Sequence, residues 1–109
     1  MDIFEEREKG FEAKYRRDQE QRFKIVARRN KLLGLWAAEK MGLAGAAADA
    51  YAKEVVASAL EKPGDDALSE KVAADLHAKG HAADVAAVRE ELKRLAATAK
   101  EQVMAEAQK

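Results

Sequence analysis

The side chains able to carry reaction chemistry are few and poorly matched. His77 and His81 stand four residues apart, flanked by Asp75 and Asp84, a set that superficially suits a divalent metal. Gly80 interrupts any helix between them, so the two rings need not share a face, and no metal site is expected. Asp65 and Asp66 form a carboxylate pair of the kind used in acid–base work. Adjacent positions at the start of a helix, however, are better explained as caps on free backbone N–H groups. The hydroxyl candidates Ser58, Ser69 and Thr98 have no base placed near them, and the chain has no cysteine. Gly42-Leu43-Ala44-Gly45 lacks the lysine and hydroxyl residue of a phosphate-binding P-loop. Together these absences point away from an enzyme and from any required cofactor.

Charge patterning says more. Arg22, Lys24, Arg28, Arg29 and Lys31 form a basic block with no acid between Glu20 and Glu39. Such a helix face can grip phosphates, which keeps open a helical binding or adaptor module with nucleic acid or another protein as partner. Against nucleic acid, the block lacks stacking aromatics and any known base-reading motif. Ahead of it, residues 5 to 22 hold twelve charges among Phe11, Ala13 and Tyr15, so this stretch cannot bury a face. Nor does it suit a coiled coil: with Phe4 and Phe11 at heptad position a, Asp18 follows at a, and Arg7, Lys14 and Gln21 fall at d.

Helix formation in this arm is encouraged by acid-to-base pairs at four-residue spacing: Glu5 with Lys9, Glu12 with Arg16, Asp18 with Arg22, Glu20 with Lys24. At about 0.2 to 0.5 kcal/mol each they sum to roughly 1 to 2 kcal/mol. Gly10 costs about 1 kcal/mol relative to alanine. The near-zero balance predicts an arm that is partly helical and mobile when free, ordering when a groove accepts Phe4, Phe11 and Tyr15.

The elements that must hold this arm are helical. At 109 residues the chain suits one domain plus any disordered tail. Twenty-five alanines with only one proline and six glycines favour closely packed helices. Breaks around Gly42 to Gly45, at Pro63-Gly64 and at Gly80 resemble C-terminal helix stops. They divide the chain into helices of approximately 20–41, 46–62, 66–79 and 82–107, giving an all-α fold: a small four-helix bundle over 20–109 behind an N-terminal arm over 1–19.

The last helix shows the clearest stripe, Val85, Val88, Leu92, Leu95, Ala96, Ala99 and Val103. The third offers Leu68, Val72 and Leu76, and the second Tyr51, Val55, Val56, Ala59 and Leu60. The first offers Phe23, Val26, Ala27, Leu33, Ala37 and Met41, with Leu32 and Trp36 beside them and Trp36 read as core. No apolar run reaches membrane length, and the acidic start Met1-Asp2-Ile3-Phe4-Glu5-Glu6 is unlike a signal peptide. A cytoplasmic protein without membrane insertion is therefore expected. Twenty basic and twenty acidic residues cancel, so any electrostatic attraction must be local.

The arm and the helix after it also carry a family likeness. Arg7-Glu8, Phe11-Glu12-Ala13-Lys14-Tyr15, Phe23-Lys24 and the run Ala27-Arg28-Arg29-Asn30-Lys31-Leu32-Leu33-Gly34-Leu35-Trp36-Ala37-Ala38 resemble the zeta inhibitor subunit of alphaproteobacterial ATP synthase. Ala50-Tyr51-Ala52-Lys53-Glu54-Val55-Val56 and Pro63-Gly64-Asp65-Asp66 extend the likeness. It implies a four-helix bundle whose N-terminal segment enters the catalytic head of the F-type ATP synthase; the free chain is expected to be monomeric. That segment would lie between a catalytic and a noncatalytic subunit near the central stalk, and would arrest ATP hydrolysis. On this likeness the partner-binding residues are Phe4, Arg7, Glu8, Phe11, Glu12, Lys14, Tyr15, Arg16 and Arg17, with Arg22, Lys24, Arg28, Arg29 and Lys31 as a secondary contact. The family also implies weak ATP or ADP binding, which no residue of this sequence locates.

Overall fold

The computed structural model describes the backbone of residues 3–108 and the side chains of residues 13–108. Four helices follow one another, α1 Ile3–Lys40, α2 Gly45–Glu61, α3 Asp65–Ala78 and α4 Val85–Ala107, with no strand among the described residues. The all-α four-helix reading of the sequence is the observed fold. The expected mobility of the first twelve residues lies outside the described residues, as do the side chains of Phe4, Arg7, Glu8, Phe11 and Glu12.

Composition and glycine chemistry explain where the helices stop. At the end of α1, Gly42 takes φ 79°. This backbone turn lets the Leu43 N–H donate to the Ala38 carbonyl at 2.9 Å, closing the last turn without a side-chain cap. Gly80 repeats the device after α3, with φ 85° and the His81 N–H donating to the Leu76 carbonyl at 3.0 Å. α4 starts at Val85 rather than near Ala82, because Asp84 is its cap: the carboxylate accepts the Ala87 N–H at 2.8 Å. Asp65 and Asp66 behave differently from expectation. They are the first residues of α3 and cap nothing; α3 has no side-chain cap, and Gly64 occupies the cap position. Their carboxylates instead pair with Arg29 and Arg89, each at 2.8 Å.

The helices bury one cluster built around Leu33, Val55, Val72, Leu76, Val88 and Leu92. α1 packs mainly on α2 and α4, while α3 packs mainly on α4. The α4 stripe behaves as its periodicity predicts, with Val88, Leu92, Leu95, Ala99 and Val103 all buried. Trp36 is half-buried against the core, with the Lys40 ammonium 5.1 Å from the ring centroid. Alanine and glycine set how closely α1 and α2 approach. A Cβ placed on Gly34 would lie 2.6 Å from the Ala52 Cα, nearer than two carbons can approach.

Two expected core residues of α1 are in fact outside: Phe23 is 64% and Val26 46% exposed. Leu60 of α2, 66% exposed, is a third. Each completes an apolar repeat in the sequence, but the buried face of α1 is formed farther along, from Asn30 through Ala38.

Candidate functional site

Residues 13–40 of α1 divide into two regions with opposite environments. From Ala13 to Glu20 every side chain is exposed, and Gln21 is the first half-buried one. α1 nevertheless runs unbroken from Ile3 to Lys40. Nucleation is the costly step of helix formation. The packed turns from Asn30 onward supply that nucleus, and turns added toward the N-terminus need only propagate. A helix of 38 residues spans about 57 Å at 1.5 Å per residue, more than a small bundle can cover. The radius of gyration, 17.5 Å, accordingly exceeds the roughly 13 Å of a compact chain of this length.

The described part of the arm presents Lys14, Tyr15, Arg16 and Arg17 to solvent, with Tyr15 64% exposed. A large aromatic ring is thus held in solvent on a helix among charged side chains. The expected pairs Asp18–Arg22 and Glu20–Lys24 are not among the ion pairs of the described residues. Helix continuity in this stretch therefore rests on propagation from the bundle.

The basic block is split between structural and exposed roles. Arg28 donates from Nη1 to Gln102 Oε1 at 2.9 Å, and from Nη2 to both Glu106 carboxylate oxygens at 2.7 and 2.9 Å. Arg29 donates to both Asp65 oxygens at 2.8 and 3.2 Å, and to the buried Asn30 side chain at 3.0 and 3.1 Å. These two guanidinium groups tie α1 to α4 and to the start of α3. Arg22, Lys24 and Lys31 enter no ion pair among the described residues. The block thus offers three uncommitted cations, a weak basis for gripping a run of phosphates. Sequence reasoning missed Gln102 and Glu106 as partners of Arg28, because a contact across 78 residues leaves no local pattern.

Elsewhere the polar groups serve the fold. Tyr51 donates to Asp75 Oδ2 at 2.8 Å, and the Lys71 ammonium reaches the same oxygen at 3.0 Å. Burial pushes the Tyr51 hydroxyl well above its ordinary range, and the bond to Asp75 and the nearby carboxylates add to the shift. His77 lies in the last turn of α3 and His81 beyond Gly80, both exposed. With Asp75 bonded to Tyr51 and Asp84 capping α4, the acids flanking the histidines in sequence have other partners. The described residues contain no group of three or more His, Cys, Asp or Glu placed to hold a metal ion.

The described residues thus define a helical interaction module, a packed bundle that holds out one long, charged helix. The profile of the family described as ATPase inhibitor subunit zeta matches residues 1–102, and the chain belongs to that family of regulatory inhibitor subunits. Among solved structures, one described as a solution NMR structure is 46% identical over 77% of this chain and 95% of the other, with a TM-score of 0.67. Among curated proteins none matches. No helix of the described residues is long and apolar enough to cross a membrane.

Proposed function

We propose that this protein inhibits ATP hydrolysis by the rotary F-type ATP synthase in the cytoplasm, inserting the N-terminal part of α1 between a catalytic and a noncatalytic subunit of the catalytic head. The observation that carries the reading is the uninterrupted exposure of Ala13 to Glu20 on a helix whose other end is buried in the bundle. Membership of the ATPase inhibitor subunit zeta family supports this target, and the match begins at residue 1. A helix entering a cleft between subunits needs a few apolar anchors, here Phe4, Phe11 and Tyr15, and a charged remainder that sets orientation and partner choice. Arg7, Glu8, Glu12, Lys14, Arg16 and Arg17 are that remainder. Ordering a free segment costs about 1 to 2 kcal/mol per residue, and growth from an existing helix removes part of that cost.

Gly10→Pro tests the mechanism. Proline removes a helical hydrogen bond and clashes with the preceding turn, costing about 3 kcal/mol in a helix interior, at a position remote from the core. Inhibition of ATP hydrolysis should fall sharply while the bundle melts at an unchanged temperature. Full inhibition by the variant would rule out an inserted continuous helix. Weak adenine-nucleotide binding belongs to the same reading and is checked by titrating ATP or ADP against the full chain.

A further inference from the structure

The flank of the bundle carries a groove that the arm mechanism does not use. One hollow of about 430 Å³ between α1 and α2 is bordered by Lys31, Lys53, Val56 and Leu60. A second, about 410 Å³, is bordered by Phe23, Lys24, Val56 and Val103, and again by Lys31. Sharing Lys31 and Val56, the two form one path along α1. A third hollow, sharing Lys24, Val103 and Glu106, continues it to Arg17 and Gln21 at the root of the arm. Phe23 and Leu60, among the most exposed large apolar residues described, border this path, and such side chains gathered around one groove mark a binding surface.

The charges select the occupant. Lys24, Lys31 and Lys53 border the groove and enter no ion pair among the described residues. The Glu106 carboxylate there is already occupied by Arg28, leaving Asp49 in the first hollow and Glu20, beside Arg17, in the third as the counter-charges to these lysines. An apolar floor with a cationic rim fits an amphipathic helix whose polar side is acidic. A second copy placed symmetrically would oppose lysine rim to lysine rim. We propose that this groove docks an acidic amphipathic helix of the ATPase head, making the bundle a second recognition site continuous with the arm. The proposal rests on the reading of the chain as an inhibitor of that head.

The test is a double variant, Phe23→Asp with Leu60→Asp, in the full chain, compared with wild type and Gly10→Pro for inhibition of the head. Both replaced side chains are exposed, so the melting temperature should hold. The half-inhibitory concentration should rise roughly tenfold or more, the scale of losing one or two interface anchors, while inhibition at saturation stays complete. A benzophenone attached through Ala57→Cys, the sole thiol in a chain without cysteine, should cross-link a net-acidic helical segment of the head. Undiminished potency of the double variant, or cross-linking to a second copy or to a basic segment, would overturn the groove. Full inhibition by Gly10→Pro would instead overturn the arm reading, and the double variant still judges the groove by itself.

Discussion

Replacing Gly34 by alanine sets two effects of similar size against each other, and the structure decides between them. In an exposed helix the change would stabilise by about 1 kcal/mol, because alanine loses less backbone freedom than glycine. Here the new Cβ would sit 2.6 Å from the Ala52 Cα, 3.2 Å from its Cβ and 3.3 Å from the Val55 Cβ. The nearest atom is backbone, so no rotamer change relieves the contact, and α1 and α2 must separate by about 1 Å against close packing. Overpacking of this kind costs about 1 to 3 kcal/mol, with the severity of the contact favouring the upper half. Net destabilisation is then about 1 to 2 kcal/mol, a fall in Tm of about 5 to 15 °C for a domain of this size. Thermal unfolding followed by circular dichroism at 222 nm measures it. Adding Ala52→Gly should not rescue the fold, since it leaves the Cα in place and costs about 1 kcal/mol of helix propensity. A Tm equal to or above wild type for Gly34→Ala would refute the close approach of the two helices.

Three further outcomes follow from the polar groups. Ser69 is fully buried and its hydroxyl has no hydrogen-bond partner among the described residues, so Ser69→Ala should raise stability by about 1 kcal/mol in urea unfolding. A loss of that size would mean that the hydroxyl is bonded. The Tyr51 hydroxyl is pushed above its ordinary value, so the folded chain holds this proton where the unfolded chain has released it. The associated stability is full below pH about 10 and declines as pH rises beyond it. In a Tyr15→Phe background, phenolate absorbance should appear together with alkaline unfolding, and Tyr51→Phe should flatten that part of the stability profile. Arg29→Gln should cost about 1 kcal/mol in urea unfolding, since the side chain, 14% exposed, is paired to an Asp65 that is 57% exposed.

Much of the fold is legible in local sequence because local rules govern it. α4 has one apolar stripe and a polar remainder, so its buried set follows from periodicity. The stops at Gly42 and Gly80 follow from the left-handed backbone that ends a helix. α1 defeats the same reasoning because it carries more apolar positions than the bundle has room to bury. Periodicity gives Phe23 and Val26 the same standing as Leu33, and only the placement of α2 and α4 separates them. The charges of Arg22 and Lys24 on either side of Phe23 are a usable hint that its surroundings are polar. Asp65 and Asp66 satisfy every local criterion for caps, yet guanidinium groups from α1 and α4 reach them first. The arm was legible as a segment too charged to bury itself, while its proposed target entered through the motifs shared with the inhibitor family and not through charge or spacing.

In the proposed function the N-terminal end of α1 carries inhibition and the bundle holds it in place. The most direct measurement is ATP hydrolysis by the catalytic head of the F-type ATP synthase, titrated with the full chain and with a chain lacking residues 1–20. Since the buried face of α1 begins beyond Gln21, the shortened chain should retain its bundle, verified by its melting curve. The full chain should inhibit and the shortened one should not; equal inhibition by both would show that the arm is dispensable.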